Sequence, residues 1–225
     1  MRFIDYIKRH KTLLRSHPMF KIYLGGGMAV KLIAGKPGTK DFDFTFAVPR
    51  PLKPQEVPKY SLAMYTFMYN FLKGFTRMDS LNIKSYARKS FLPATGKRTY
   101  HVIQFGKDFV DCTLAYVPGT RRVLLKKYGL AISNHLYRDV LAVLAGSFVY
   151  KKVMPRNPLM GEHPEKGLKN LERVKVLRKL RSPKSVNTLR FVSAIDKRHL
   201  ATATRRARSA LLRLSGKGTG ARTSA

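Results

Sequence analysis

Residues 23–46 read YLGGGMAVKLIAGKPGTKDFDFTF, and the fold is decided there. KIYL at 21–24 is a short apolar run that predicts a buried strand, closed by Gly25, Gly26 and Gly27. MAVKLIAG then reads as a short helix stopped by Gly35, with Pro37 and Gly38 forming a turn. DFDFTFAV at 41–48 alternates acid or Thr with Phe, which is the period-two pattern of a strand. Side chains two apart on a strand project from one face, so Asp41 and Asp43 point the same way.

That geometry brings two chemistries into one short unit. Two unpaired carboxylates side by side repel each other unless a cation lies between them. Magnesium is the natural cation, because it prefers oxygen ligands and commonly shares its shell with phosphates. A glycine cluster between a strand and a helix start lets backbone N–H groups approach a phosphate, with the helix dipole assisting. The plain alternative is a solvated strand face at 41–48 and a tight turn at 25–27. Acids are scarce, 12 in 225 residues, and their falling at this distance from the glycines favours a site.

A strand ending in Gly-Gly, a short helix, then Asp-hydrophobic-Asp on the next strand resembles the DNA polymerase beta superfamily of nucleotidyltransferases. With Gly26 and Gly27 as the pair, 13 residues precede Asp41, within that family's usual range. Thr39-Lys40-Asp41-Phe42-Asp43 is similar to the Thr-x-Asp-x-Asp form of its minimal and toxin-like members, with poly(A)-polymerase-like members as the other comparison. The family needs a third acid on a later strand, and Asp111 in FVDCTL at 109–114 has that apolar setting, although nearby Asp108 leaves open that one of the two only caps a turn. The resemblance implies two magnesium ions, or manganese in their place. Asp41 and Asp43 would hold the ion gripping a nucleoside triphosphate, and all three acids the ion that activates a hydroxyl; Asp111 is also the implied proton acceptor. Gly25, Gly26, Gly27, Thr39 and Lys40 would line the nucleotide. Many members carry Ser after the first Gly, where this chain has only Gly.

Outward from this unit, Phe3, Ile4, Ile7, Leu13 and Leu14 predict a helix over 3–16. Three prolines at 49–54 precede a predicted helix over 56–74, whose Tyr65, Phe67, Tyr69 and Phe71 read as core packing rather than a base-stacking platform. Strands are expected at 82–88, 99–105 and 109–117, and helices near 121–130 and 134–150. The expectation is an α/β or α+β core over 1–150, a mixed sheet flanked by helices. A basic helical extension over 151–214 and a flexible basic tail over 215–225 follow. EKGLKNLERVKVLRKL at 165–180 turns Leu168, Leu171, Val174, Leu177 and Leu180 inward, and a second helix is expected over 187–214.

Charge identifies the class of partner. Forty-five Lys and Arg against 12 acids give +33, and the last third (151–225) holds 20 cations against four acids, about twice the charge density of the rest. Such a polycation binds polyanions by counterion release. Nucleic acid is therefore the expected partner, RNA ahead of DNA, with Lys175, Arg178, Lys179, Arg181, Arg205, Arg206 and Arg208 as contacts. Cys112 is the only cysteine, which excludes an internal disulfide and a cysteine-rich zinc site and fits a reducing compartment: cytoplasm or nucleus, with an organelle or virion as alternatives. No signal-peptide pattern opens the chain, and the apolar run at 141–150 is too short to span a bilayer. Two functions follow as expectations: nucleotide transfer to a hydroxyl of RNA or DNA, or a non-catalytic scaffold inside a nucleoprotein or viral particle, with a partner protein compatible with either.

Overall fold

The computed structural model describes residues 1–34, 41–92, 96–107, 109–137, 139–140 and 164–179. Helices α1 (Phe3–Arg9) and α2 (Lys11–Arg15) lead into β1 (Lys21–Leu24), α3 (Gly26–Ala34) and β2 (Phe42–Val48). After a 3-10 turn at Pro54–Glu56 come α4 (Val57–Lys73), β3 (Ile83–Leu92), β4 (Lys97–Phe105) and β5 (Val110–Tyr116). β6 (Arg122–Leu125), β7 (Leu130–Ser133) and α5 (Pro164–Lys179) complete the described elements.

The seven strands form one mixed sheet in the order β3-β4-β5-β2-β1-β7-β6. β2 runs parallel to β5 and β1 to β7, while the other neighbours are antiparallel. The protein is thus mixed α/β. Alternation along the strands sorts the faces: Phe42, Phe44 and Phe46 on β2, Val110, Cys112 and Leu114 on β5, and Ile103 and Phe105 on β4 all enter the main core. Helices α1 and α4 cover that face. The Phe3 ring meets Phe42 edge-on with centroids 4.8 Å apart, and Phe46 contacts Phe67. The Tyr6 hydroxyl donates to the Phe71 carbonyl at 2.7 Å, giving the polar end of this buried ring a partner. Met64, Met68 and Leu72 on α4 are fully buried, and the aromatic series of that helix packs on the core as expected.

Two expectations change. The helix over 3–16 is broken at His10 into two short pieces. The helix near 121–130 is instead the β6–β7 hairpin. Lys, Arg and Leu give that stretch a helical look, but Gly129 takes φ +67° in the connecting turn, and Leu125, Leu130 and Ile132 are buried by tertiary packing. Of the helix over 134–150, residues 141–150 lie outside the described residues, as do the helix over 187–214 and the tail. On α5, Val174 and Leu177 are buried and Leu171 is partly so, and this helix packs on α3. Among the described residues no helix is long and apolar enough to cross a membrane.

Candidate active site

The face of the sheet opposite α1 and α4 carries the acids. Because β2 and β5 are parallel and in register, Asp43 stands directly beside Asp111, and Thr45 beside Thr113. On the other side of β5, Gln104 of β4 pairs with Asp111, and its Nε2 donates to Asp111 Oδ2 at 3.1 Å. Lys84 of β3 pairs with Gln104. Cross-strand partners share a face, so Lys84, Gln104, Asp111 and Asp43 form one row across four strands. Asp41, just before β2, is part-buried and close enough for its charge to act on Asp43.

The glycine turn meets this row at Asp43. The Gly25 N–H donates to the Asp43 carbonyl at 2.7 Å, while the Gly25 carbonyl accepts from the Ala29 N–H at 3.1 Å and so opens α3. Gly26 has φ +57°, and a Cβ there would overlap Asp43 Oδ2 and lie 2.7 Å from its Cγ. A side chain at Gly25, by contrast, would make only an ordinary contact at 3.6 Å. Glycine is therefore required at residue 26, both by the left-handed backbone and by the carboxylate packed against it. Gly27 is buried within α3. The first N–H groups of a helix lack intrahelical partners, so the Asp43 carboxylate sits at a natural anion position.

Ionisation is costly at this point. Burial pushes the Asp43 carboxyl up to about 6, with Asp111 and Asp41 adding repulsion, while Arg173 and Lys97 draw it down. Arg173 comes from α5; burial lowers its own value, and Asp43 and Asp41 counter that effect. Its Nη1 donates to Asn170 Oδ1 at 3.0 Å, and Asn170 is itself buried. Gln104, Lys97 and Arg173 were not singled out in the sequence. For Arg173 a signal exists: it lies three residues after Asn170 and four before Leu177, on the margin of the inward stripe of α5.

The donor set is all oxygen, and the fit to a divalent cation rests on two carboxylates in register beside a glycine whose missing Cβ leaves room for one of them. Magnesium is ordinarily held by one or two carboxylates together with phosphate oxygens, and Asp43 with Asp111 meets that requirement. Among the described residues no three His, Cys, Asp or Glu side chains gather into a ready metal-binding group, so Asp41 does not join the pair as a third ligand in this arrangement.

Of the other residues singled out in sequence, Thr39, Lys40, Arg181, Arg205, Arg206 and Arg208 lie outside the described residues, as does Asp108. Residues 178 and 179 belong to the last turn of α5. Lys175 is exposed and pairs with Glu172 at 2.7 Å, a surface contact of small energetic weight. Cys112 is fully buried, and burial raises its thiol well above the usual range, so it serves as a small core residue. No family model matches the chain, and no curated protein matches it in sequence.

Proposed function

We propose that this protein is a metal-dependent nucleotidyltransferase of the DNA polymerase beta type, transferring a nucleotide from a nucleoside triphosphate to a hydroxyl on RNA. The observation that carries this reading is the register pairing of Asp43 with Asp111, directly in front of the Gly25–Gly26 turn that opens α3. Asp43 and Asp111 would hold magnesium or manganese, with Asp41 joining when a triphosphate brings further oxygens. Bound there, the ions supply charge neutralisation at the phosphates and lower the pKa of the attacking hydroxyl. The chain's own groups orient and exclude. Gln104 holds one Asp111 oxygen by its hydrogen bond. The Gly26 backbone and the start of α3 offer N–H groups to an anion. Asp111 is the group in line to accept a proton from the acceptor hydroxyl, and Arg173 lies where a cation can meet a triphosphate as well as the acids.

A second reading has its own observation. The charge of Arg173 already acts on Asp41 and Asp43, and a retained fold used as a basic scaffold in a nucleoprotein particle would keep such a contact for structure. The two part in one experiment: the full chain is incubated with labelled triphosphates, magnesium and mixed RNA. Incorporation that disappears in Asp43→Asn and Asp111→Asn supports the enzyme. Salt-sensitive RNA binding without incorporation, unaltered by those substitutions, leaves the scaffold.

A further inference from the structure

The edge of the sheet beside the acidic row carries a second feature. Residues 81–107, which span β3 and β4, contain six Lys and Arg and no acid. β3 is the terminal strand of the sheet, and Lys84, Tyr86 and Lys89 on it are exposed. Tyr86 pairs with Val102 as Lys84 pairs with Gln104, so Tyr86 shares the face of the acids, one row further along. Tyr86 is 36% exposed although it is a large hydrophobic group, and Arg88 Nε, two residues on, is buried with no hydrogen-bond partner among the described residues. At the far end of the ribbon a cavity of about 660 Å³ opens toward α4, lined by Leu52, Val57 and Pro58 together with Lys89, Arg98 and Tyr100.

We infer that the β3–β4 ribbon is a track for single-stranded RNA, with Tyr86 stacking on a base, Lys84, Arg88 and Lys89 following the phosphates, and the strand's end directed along the Lys84–Gln104–Asp111 row toward Asp43. The direction of the track rests on the nucleotidyltransferase reading; the RNA contact itself does not. Charge selects a polyanion, and an exposed aromatic beside cations selects unpaired bases, which stack on rings as paired ones cannot. Lysines on an edge strand also discourage edge-to-edge pairing, but that role needs no exposed Tyr on the face of the acids.

The test uses the full chain and a short oligouridylate containing 5-iodouridine. Photocrosslinks are mapped by mass spectrometry, and affinity is followed by fluorescence anisotropy over a range of KCl concentrations. Crosslinks are expected in peptides from 81–107. The triple variant Lys84→Thr, Arg88→Thr, Lys89→Thr is expected to flatten the slope of log K against log salt by about 2, three phosphates at roughly 0.7 each for a single strand. A control triple of equal charge on and just after the helices of the opposite face, Arg9→Gln, Lys73→Gln, Arg77→Gln, is expected to leave the slope nearly unchanged. Tyr86→Ala is expected to weaken binding about fivefold or more with the slope retained. Equal loss in both triples, crosslinks confined to other peptides, or preference for duplex DNA at this ribbon would overturn the inference. Crosslinking at 81–107 without nucleotide incorporation would sink the catalytic reading and leave the RNA track, and incorporation with crosslinks elsewhere would do the reverse.

Discussion

Replacing Asp43 by Asn should make the protein more stable at neutral pH. The carboxyl is raised from 3.8 to about 6 by burial and by Asp111 and Asp41, after the opposing pull of Arg173 and Lys97 is included. Holding it ionised in the folded state therefore costs about 3 kcal/mol, near 1.4 kcal/mol for each pH unit of displacement. Folding raises the value above the unfolded one, so the folded state binds the extra proton. The contribution to stability is fully present below about 3.8 and is lost as pH rises through about 6. Asn keeps the shape against Gly26 and removes the ionisation. Urea unfolding of both proteins near neutral pH should show Asp43→Asn ahead by about 2–3 kcal/mol, or roughly 5–10 °C in Tm for a chain of this size. The advantage should shrink steadily on acidification and vanish below the ordinary Asp value. Added magnesium should raise the Tm of the wild type and not that of the variant. A variant less stable than wild type at neutral pH, or a difference indifferent to pH, would refute the electrostatic account of the site.

Gly26→Ala combines a left-handed backbone with a Cβ that overlaps the Asp43 carboxylate, and it should cost on the order of 2–4 kcal/mol in urea unfolding, whereas Gly25→Ala should cost less because a Cβ there meets only an ordinary contact. Arg173→Gln removes a cation that lowers the Asp43 value, so the Asp43 titration followed by carboxyl NMR should move to higher pH; an unmoved midpoint would mean the guanidinium does not face the acids. Glu56 is held down to about 2 by Arg50 and by the Lys53 backbone N–H, so its contribution is present above 4.5 and lost as pH falls toward 2; Glu56→Gln should remove that acid-side dependence from the unfolding curves. Phe44→Ala empties a site that is 1% exposed at the centre of β2, and a loss of about 3–5 kcal/mol is expected by denaturant titration.

The parts of the fold legible in the sequence were those where one local rule met no opposition. DFDFTFAV alternates cleanly because one face of β2 is core and the other bears the acids, and the observed Phe42–Val48 strand follows that alternation. The glycines before α3 announced a tight approach, and the contact they permit is now specific: Asp43 against Gly26. Stretch 121–130 misled because its Lys, Arg and Leu content suits a helix, while the choice was made by tertiary packing of Leu125 and Leu130 and by the Gly129 turn. Sequence spacing also could not supply the neighbours across strands. That Gln104 donates to Asp111, or that Lys84 continues their row, depends on the β4–β5 register, which no pattern within one strand encodes.

Arg173 bears on both functional readings, and its effect can be weighed. Glu56, part-exposed beside Arg50, is held below the ordinary carboxylate range, whereas Asp43 is buried, and burial is the largest cause of its raised value. Asp43 stands at about 6 with Arg173 and Lys97 both pulling it down, so the two cations offset only part of the burial and the repulsion from Asp111 and Asp41. Ionised Asp43 therefore carries a cost that the described cations do not fully offset. A scaffold selected only for packing against a polyanion gains nothing from that cost, since neutral side chains at 43 and 111 would hold the same strands together without it. A site that recruits a divalent cation with its substrate has reason to bear it, because an acid pair already neutralised by arginine binds metal weakly. The cost of ionising Asp43, rather than the excess charge elsewhere, is the ground on which we propose catalysis over scaffolding.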